Sequence, residues 1–528
     1  RCYPSMAGED GVLVLGYVSS VNESDLADTS KNYYREETIG KDGLELQYDQ
    51  YLRGKAGIKT VIVDRKESVT KQAVSTQPIS GFNLVTNLDA RLQAATEKAL
   101  QSSVLRAKSL GGRADGGAAI VMEVNSGKIL ALASYPTYDP NIWQVGLTQK
   151  QATNLFSESS GVPALNRPLQ GMYAPASTFK SISAVAAINA GYNMNSSYKC
   201  PAKVLIGNRE FANFETKSQG TINMKRAIAV SCDTIWYQIA YDEWVRDGGL
   251  FPKSGLNDYF FTAARGFGLG KTTGIDLPSE ASGRLPDRAW KEAVYKENKD
   301  FYCNYKERAQ KSQLTTFLIE LARENCLDGD KIRAGDAVNF SIGQGDTVIT
   351  PLKLTQMYAA LGNGGKIMRP SVAKAIVSTD GKIIKKIEPK QLGTLPATPA
   401  TLKFLEASLR EVVTAGTGTG AFAGFPIAIS GKTGTAQVFG RNANGSLKAD
   451  TSWFASFGPT QNPRYAVVMM VSQGGFGASV SGVGVRKIYE TLFGVTGSRI
   501  DPAKAIFPDG KPPVKIPKIS PATKLKED

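Results

Sequence analysis

Apolar runs of strand length, separated by turn residues, limit the folds open to this chain. They lie at residues 118–124, 129–134, 427–437, 452–458 and 465–472. The first two are joined by Asn125-Ser126-Gly127, a strong signal for a hairpin between antiparallel strands. The sequence therefore predicts an antiparallel sheet.

Two other segments carry the apolar spacing of helices. Residues 88–105 repeat apolar side chains at helical intervals, after Asn87 or Asp89 as a possible N-cap. Residues 177–190 are mostly apolar and end before Gly191. At 528 residues the chain can bury a large core. Together these features predict an α+β fold, with helices packed on the antiparallel sheet.

Changes in composition divide the chain into three parts, the second with an insert. We expect an N-terminal domain at 1–80, a main domain at 81–500 with a charged helical arm at 291–334, and a Pro- and Lys-rich tail at 501–528. Within the N-terminal part, residues 11–18 are apolar and residues 59–64 alternate, so short strands and turns are expected there.

The residue types present exclude several classes of chemistry. The formal charge is +15, but the basic residues are scattered and not interleaved with aromatics, so we predict no nucleic-acid binding. The chain has no histidine, which removes Ser-His-Asp sites, Cys-His sites and imidazole metal ligands. The five cysteines form no Cys-x-x-Cys pair, and each alone indicates a small buried hydrophobe. An acyl transfer must therefore use lysine, a carboxylate or tyrosine as its base.

The first chemical motif is Ser177-Thr178-Phe179-Lys180. Residues three apart on a helix share one face, so the amine would lie beside the hydroxyl and could accept its proton when neutral. Ser-x-x-Lys also begins at Ser68, Ser196 and Ser371, as chance allows. Only the Ser177 copy begins a long apolar helix, which makes Ser177 the candidate nucleophile.

Two further motifs follow. Ser231-Cys232-Asp233 offers a hydroxyl that can relay a proton, although in isolation it fits a turn equally well. Lys432-Thr433-Gly434, followed by Thr435, lies in a predicted strand. It offers an ammonium and hydroxyls for a substrate carboxylate, and a glycine that allows close approach to the backbone. A phosphate loop is excluded here, because Pro426 stands where its first glycine is needed.

With these motifs in this order, the chain resembles the class B penicillin-binding proteins, most of all the elongation type called penicillin-binding protein 2. Asp233 is itself a trait of that type, since many relatives carry asparagine there. The other matching stretches are Tyr51-Leu52-Arg53-Gly54-Lys55, Tyr173-Ala174-Pro175-Ala176, Phe267-Gly268-Leu269-Gly270, Gly274-Ile275-Asp276-Leu277-Pro278, Ser341-Ile342-Gly343-Gln344-Gly345 and Thr350-Pro351.

The resemblance implies a fold, a reaction and a cellular setting. The fold would be a transpeptidase domain of the penicillin-binding and serine β-lactamase type, with a smaller, truncated N-terminal pedestal domain. The enzyme would cross-link peptidoglycan stem peptides during cell-wall elongation, and β-lactams would acylate and inhibit it. A single N-terminal helix, absent from this fragment, would anchor it in the cell membrane with the catalytic domain on the extracytoplasmic side. A SEDS-type glycosyltransferase would dock on the N-terminal domain.

The family roles transfer to matching residues. Ser177 would form the acyl-enzyme, Lys180 would activate it, and Ser231 with Asp233 would assist proton transfer. The donor carboxylate would be held by Lys432, Thr433, Gly434 and Thr435. Backbone N–H groups of Ser177 and Thr435 would form the oxyanion hole. No cofactor is implied, and no metal is predicted, because the metal site of some relatives uses histidine.

Lys180 can be a base only when neutral. Burial and repulsion from Lys432 would lower its pKa from the ordinary value of about 10.4. The alternative is a structural cation that pairs with Asp233.

Other functions share these motifs. A β-lactamase would need a water-activating glutamate and a smaller chain. A D,D-carboxypeptidase differs only in that water attacks the acyl-enzyme, and a penicillin-binding sensor or scaffold could retain acylation alone. The 528-residue length argues against a β-lactamase and the three intact motifs argue against a sensor or scaffold, whereas the sequence does not decide between a transpeptidase and a carboxypeptidase.

The implied export also bears on the cysteines. In an oxidising compartment Cys303 and Cys326 would form a disulfide across the arm, and the alternative is two free buried thiols.

Overall fold

A computed structural model describes residues 11–66, 69–143, 146–311, 316–438, 440–442, 445–507, 512 and 516. Several features of the sequence lie outside these ranges. They are Cys2, the Ser-x-x-Lys copy at Ser68, part of the arm at 312–315, and the tail from 508 onward apart from residues 512 and 516.

Within the described ranges, the strands in chain order are β1 Val18–Ser20, β2 Thr38–Gly40, β3 Ile58–Val63, β4 Val69–Thr76, β5 Asn83–Thr86, β6 Gly116–Glu123, β7 Ile129–Tyr135, β8 Ser197–Cys200, β9 Lys203–Ile206, β10 Arg209–Ala212, β11 Gly220–Asn223, β12 Lys366–Met368, β13 Ala373–Val377, β14 Ile383–Lys386, β15 Gln391–Thr394, β16 Ser430–Ala436, β17 Thr451–Gly458, β18 Tyr465–Ser472, β19 Val495–Thr496 and β20 Arg499–Ile500.

The α-helices of the same ranges are α1 Val12–Leu15, α2 Glu23–Ala27, α3 Gly43–Gln47, α4 Asp49–Leu52, α5 Ala90–Ser109, α6 Gln149–Phe156, α7 Arg167–Gln170, α8 Lys180–Asn189, α9 Met224–Ala229, α10 Thr234–Arg246, α11 Tyr259–Gly266, α12 Arg288–Cys303, α13 Tyr305–Lys311, α14 Thr316–Asp328, α15 Ala334–Phe340, α16 Pro351–Gly362, α17 Pro399–Ala415, α18 Thr419–Phe422 and α19 Val483–Phe493.

The predicted apolar runs form one five-stranded sheet in the order β16-β17-β18-β6-β7. Every neighbouring pair is antiparallel, as the sequence predicts. The hairpin β6–β7 closes through the predicted Asn-Ser-Gly turn. Since β17 is buried along its whole length, the sheet must be covered on both faces.

Helices supply that cover and confirm the α+β prediction. On one face, Phe454 and Met469 of the sheet join the apolar cluster that includes residues of α5 and α19. On the other, Ala455 and Met470 join the cluster that includes α8 and α16. Helix α5 begins after Asp89, whose carboxylate accepts the N–H groups at residues 91 and 92, so Asp89 is the cap.

The N-terminal part differs from the prediction in one place. Residues 11–18 were expected to be strand-like, but Val12–Leu15 is a helical turn that buries three consecutive side chains. A run of four apolar residues cannot distinguish the two periodicities, and here Gly11 at φ 70° leads into the helical turn. The alternating segment at 59–64 does form a strand, β3, which pairs with β4.

The arm is helical, as predicted, and consists of α12, α13 and α14. Cys303 and Cys326 form the predicted disulfide across a sequence separation of 23. A second disulfide, Cys200–Cys232, was not predicted; its two cysteines were interpreted as separate buried hydrophobes. In the described part of the chain, no helix combines the length and apolarity that a membrane crossing requires.

Candidate active site

Ser177 lies in a 3₁₀ turn, Ala176–Phe179, that leads directly into α8. The turn is fixed from behind, where the Ala176 N–H donates to the Gly343 carbonyl at 2.9 Å. Gly343 has to be glycine, since a Cβ there would lie 2.5 Å from the Cβ of Phe179. The turn leaves Ser177 half-buried on the cleft wall, while Lys180 is fully buried.

Ser231 and Asp233 lie in the connection between α9 and α10. The connection is tight: the N–H of Cys232 donates to the Ala227 carbonyl at 2.9 Å, and Ser231 adopts φ 60°. A non-glycine residue in this left-handed region costs of order 1 kcal/mol or more, so other contacts must hold it there.

Lys432 comes from β16, the edge strand of the sheet, and is fully buried. The next residue, Thr433, shares a hydrogen bond of 2.6 Å with the Thr417 hydroxyl. At Gly434 an added Cβ would lie 3.1 Å from the Pro175 carbonyl oxygen and 3.0 Å from the Cβ of Trp453. This glycine therefore lets the strand pack against the turn that carries the nucleophile. Thr435 accepts the N–H of Gly477 through its hydroxyl at 3.3 Å.

These segments meet at the Ser231 hydroxyl. The Lys180 amine donates to Ser231 Oγ at 3.0 Å, and the Lys432 amine reaches the same oxygen at 3.0 Å. Lys180 also donates to the Ser231 carbonyl at 2.7 Å and to Asp233 Oδ1 at 2.6 Å. One hydroxyl thus bridges two buried amines, and one carboxylate lies beside the first of them.

Both lysines are buried and both contact Ser231 Oγ, but only Lys180 lies at ion-pair distance from Asp233. Burial lowers the pKa of Lys180, and the charge and hydrogen bond of Asp233 oppose that shift. Burial lowers the pKa of Lys432 well below its ordinary value, repulsion from Lys180 lowers it further, and the charge of Asp233 opposes the shift. Among the described residues, no carboxylate lies within ion-pair distance of Lys432.

The geometry contains features of both sequence-based hypotheses for Lys180. Burial lowers the pKa of Lys180, as its role as a base requires, and Asp233 lies at ion-pair distance from it, as the alternative requires. One carboxylate balances one ammonium, so the least costly buried arrangement is a protonated Lys180 with a neutral Lys432.

The site opens into a cleft of about 480 Å³ that is lined by Ser177, Ser231, Asp233, Thr433 and Thr435, among others. The sequence motifs gave no sign of several lining residues: Asn213, Phe214, Thr417, Gln437 and Phe476. The rings of Phe214 and Phe476 stack with centroids 5.9 Å apart, so an aromatic pair joins two walls of the cleft.

The described residues contain no group of three or more acidic, cysteine or histidine side chains placed to hold a metal. Within the site, the groups that can exchange a proton are the two lysine amines, the serine and threonine hydroxyls and the Asp233 carboxylate.

Comparisons with known proteins agree with this geometry. The family model described as penicillin binding protein transpeptidase domain matches residues 117–490, and that of the penicillin-binding protein dimerisation domain matches residues 1–86. The chain is 30% identical over 525 residues to the peptidoglycan D,D-transpeptidase MrdA of Salmonella typhimurium, covering 96% of this chain and 74% of the relative.

Solved structures match as well. One comes from a study titled as the structural coordination of polymerization and crosslinking by a peptidoglycan synthase complex; its TM-score is 0.72 at 28% identity, over 93% of this chain and 76% of that one. Another is the complex of penicillin-binding protein PBP2 with MreC from Helicobacter pylori, with a TM-score of 0.69 at 26% identity, over 91% of this chain and 77% of that one.

Only Lys180 forms an ion pair with a carboxylate, so replacing each lysine by methionine should change the stability of the fold in opposite directions. Lys432→Met should raise the melting temperature at neutral pH, because it removes a buried amine that has no carboxylate partner. The gain should grow as the pH falls below 10.5, since the unfolded chain then binds a proton that folded Lys432 resists. Lys180→Met should destabilise by about 3 kcal/mol or more, because it leaves Asp233 buried without its cation.

Scanning calorimetry between pH 6 and pH 10 would measure both effects. Lys353 is a matched control, a buried lysine in α16 whose pKa burial lowers to about 8. Lys353→Met should show the same sign of pH dependence as Lys432→Met, over a narrower range. A loss of stability in Lys432→Met, equal to that in Lys180→Met, would contradict this assignment of charge.

Proposed function

The chain belongs to the penicillin-binding protein transpeptidase family, and from this membership we propose that Ser177 is the nucleophile of a peptidoglycan D,D-transpeptidase that β-lactams acylate. The observation that carries the proposal is the Ser231 hydroxyl, which links the amines of Lys180 and Lys432 on the cleft wall that also presents Ser177.

In the proposed acylation, Ser177 Oγ attacks the carbonyl carbon of the penultimate D-alanine of a stem peptide. An Oγ–C bond forms, the peptide C–N bond breaks, and the Ser177 proton passes to the Lys180 amine. The leaving D-alanine amine takes up a proton through the Ser231 hydroxyl. A stem-peptide amine then attacks the acyl-enzyme, which releases Ser177 and completes the cross-link.

Lys180 must lose its proton before it can act as the base. Ser231 Oγ lies 3.0 Å from both amines, so the hydroxyl can pass a proton from Lys180 to Lys432. A substrate carboxylate beside Lys432, Thr433 and Thr435 would favour an ammonium on Lys432, because it supplies the partner that this lysine lacks. Substrate binding would thus move the shared proton and free Lys180, while Asp233 keeps Lys180 oriented.

The oxyanion hole and the cellular setting belong to the same proposal. Backbone N–H groups of Ser177 and Thr435 would stabilise the oxyanion. The enzyme would act outside the cytoplasm as a membrane-anchored protein. We retain the proposed division into 1–80, 81–500 and 501–528, and propose no metal or cofactor.

The N-terminal domain is the proposed docking surface for a SEDS-type glycosyltransferase. One relative comes from a study of coordinated polymerization and crosslinking by a peptidoglycan synthase complex, which supports a polymerising partner. A second relative, in complex with MreC, supports only that proteins of this kind bind other proteins. In this chain the hairpin β3–β4 exposes Ile58, Ile62 and Val63, each with nearly half of its surface accessible. Exposed apolar side chains grouped on one hairpin suit a protein interface.

The first prediction is that benzylpenicillin adds once, at Ser177. Intact-mass measurement and peptide mapping should show one adduct, and Ser177→Ala should show none. Ser196→Ala is the matched control because Ser196 heads another Ser-x-x-Lys copy in an exposed turn, and it should acylate like the parent. With a donor pentapeptide strand and an acceptor amine, cross-linked dimer should form. Release of D-alanine alone would indicate a carboxypeptidase, and acylation without product would indicate a sensor.

A second prediction concerns the base. The acylation rate should rise with pH as the shared proton is lost from the lysine pair, and Lys180→Arg should reduce it by roughly 100-fold or more, because guanidinium stays charged. Stopped-flow measurements with a fluorescent penicillin would give both quantities. An arginine variant that acylates near the parent rate would show that the Ser177 proton leaves by another route.

A third prediction tests the docking surface. The double change Ile58→Asp with Ile62→Asp should abolish co-purification with the glycosyltransferase and leave acylation by penicillin unchanged. Leu327→Asp, at an apolar and even more exposed position on the arm, is the control and should co-purify normally. If the hairpin variant still co-purifies, the interface lies elsewhere.

A further inference from the structure

The Ser231-Cys232-Asp233 motif is covalently tied to another part of the chain. Cys232, its central residue, forms a disulfide with Cys200 at the end of β8. Both cysteines are buried. The bond therefore joins the segment that carries two proposed catalytic residues to the region that contains β8, β9 and β10.

A second link is made by the side chain of Asn213, which follows β10. Its Oδ1 accepts the backbone N–H of Asp233 at 2.9 Å and that of Thr234 at 3.1 Å. Its Nδ2 donates to the carbonyls of Pro201 and Lys217, both at 2.9 Å. The amide thus reaches from the β8–β10 region to the first turn of α10.

Asn213 supplies what Asp233 cannot. Asp233 is the N-cap residue of α10 but does not cap the helix with its own side chain. Its carboxylate instead binds Lys180 at 2.6 Å. The first N–H groups of a helix need an acceptor, and here the Asn213 amide provides it. Asp233 is therefore free for the active site because another side chain caps the helix.

Thr234 adds a third link, since its hydroxyl donates to the Pro201 carbonyl at 2.9 Å. The three links hold residues 232 to 234, which directly follow Ser231, and the backbone of Ser231 lies in the left-handed region. Such a conformation persists only where surrounding contacts hold it. The hydroxyl of Ser231 must lie 3.0 Å from two amines at once, so a small rotation of this segment would break the relay.

We infer that the Cys200–Cys232 disulfide and Asn213 are positioning groups for the reaction: they hold Ser231 and Asp233 in register with Lys180 and Lys432, and full activity requires the disulfide. The inference rests on the proposed roles of those four residues. The disulfide forms when two thiols lose two electrons and two protons to a disulfide oxidant, which becomes a dithiol. The enzyme is then completed only after oxidation.

The chain provides its own control, because a second disulfide, Cys303–Cys326, lies in the helical arm. The test compares Cys200→Ala with Cys232→Ala against Cys303→Ala with Cys326→Ala, each as a double variant of the same chain. Acylation by a fluorescent penicillin is measured from pH 6 to pH 10, together with the melting temperature.

For the first pair we expect at least a tenfold loss of the maximal acylation rate. We also expect its pH profile to move to lower pH, because Asp233 raises the pKa of Lys180 and a displaced Asp233 does so less. The arm pair should keep the parent rate and profile, even if its melting temperature falls.

Asn213→Ala tests the second link without substituting a cysteine. It therefore still tests the inference if the double variant at Cys200 and Cys232 does not fold. Its control is Asn87→Ala, since the Asn87 amide also bridges two backbone carbonyls, those of residues 371 and 373, away from the cleft. Asn213→Ala should lower the acylation rate and shift its pH profile, and Asn87→Ala should do neither.

The outcomes separate the two levels of the proposal. The variants at 200, 232 and 213 could have lower melting temperatures and still be acylated at the parent rate with the parent pH profile. In that case the disulfide and Asn213 only stabilise the fold, and the inference is wrong. If the parent chain itself is not acylated at Ser177, the proposed function fails instead.

Discussion

The candidate active site depends on two amines and one carboxylate that are buried together beside a single hydroxyl. Removing an ion from water costs several kcal/mol even after the protein relaxes, so the Lys180–Asp233 ion pair, with the Lys432 amine beside it, is stable only in a rigid surrounding. Each group comes from a different element: Lys180 from α8, Asp233 from the connection into α10, and Lys432 from β16. The central sheet and its helices provide the rigidity, since apolar burial on both faces fixes where α8 and β16 lie.

Close approach of backbone segments is the second requirement, and it explains unusual residues at the site. Gly343 leaves no room for a Cβ on the side that faces the Ser177 turn, and at Gly434 a Cβ would make a tight contact with the Pro175 carbonyl. Ala176, next to Ser177, adopts φ 49°, and Ser231, whose hydroxyl contacts both amines, adopts φ 60°. Strain of this kind is tolerated where neighbouring contacts determine the conformation. The close approach of three segments to one hydroxyl therefore lowers the stability of the fold by the cost of this strain.

Sequence reasoning located the elements that depend on local pattern. Strands β6, β7, β16, β17 and β18, helix α5 with Asn87 or Asp89 as its cap, and the Cys303–Cys326 bond were all predicted. Where the apolar run was too short to show a period, at α1, the prediction was wrong. The motif residues were found because their order in the chain is distinctive. The charge states of Lys180 and Lys432 could not be found in this way. They depend on which of the two amines lies nearer to Asp233, and the spacing of motifs along the sequence does not give that distance.

Sequence reasoning missed Cys200 and Asn213 for one physical reason. Both residues contact the segment of residues 231 to 233 only because β8 to β10 pack beside α10, and nothing in the local sequence around either residue indicates this packing. The central sheet cannot replace these two residues. Apolar burial fixes the positions of strands and helices, but residues 231 to 233 form a short connection with polar side chains, so burial does little to fix its conformation. The disulfide and the capping amide of Asn213 fix that conformation instead. The site has no histidine, and its proposed base is a buried lysine whose proton must move over about 3 Å between fixed partners. The position of the Ser231 hydroxyl between the two amines therefore decides whether the lysine can act as a base.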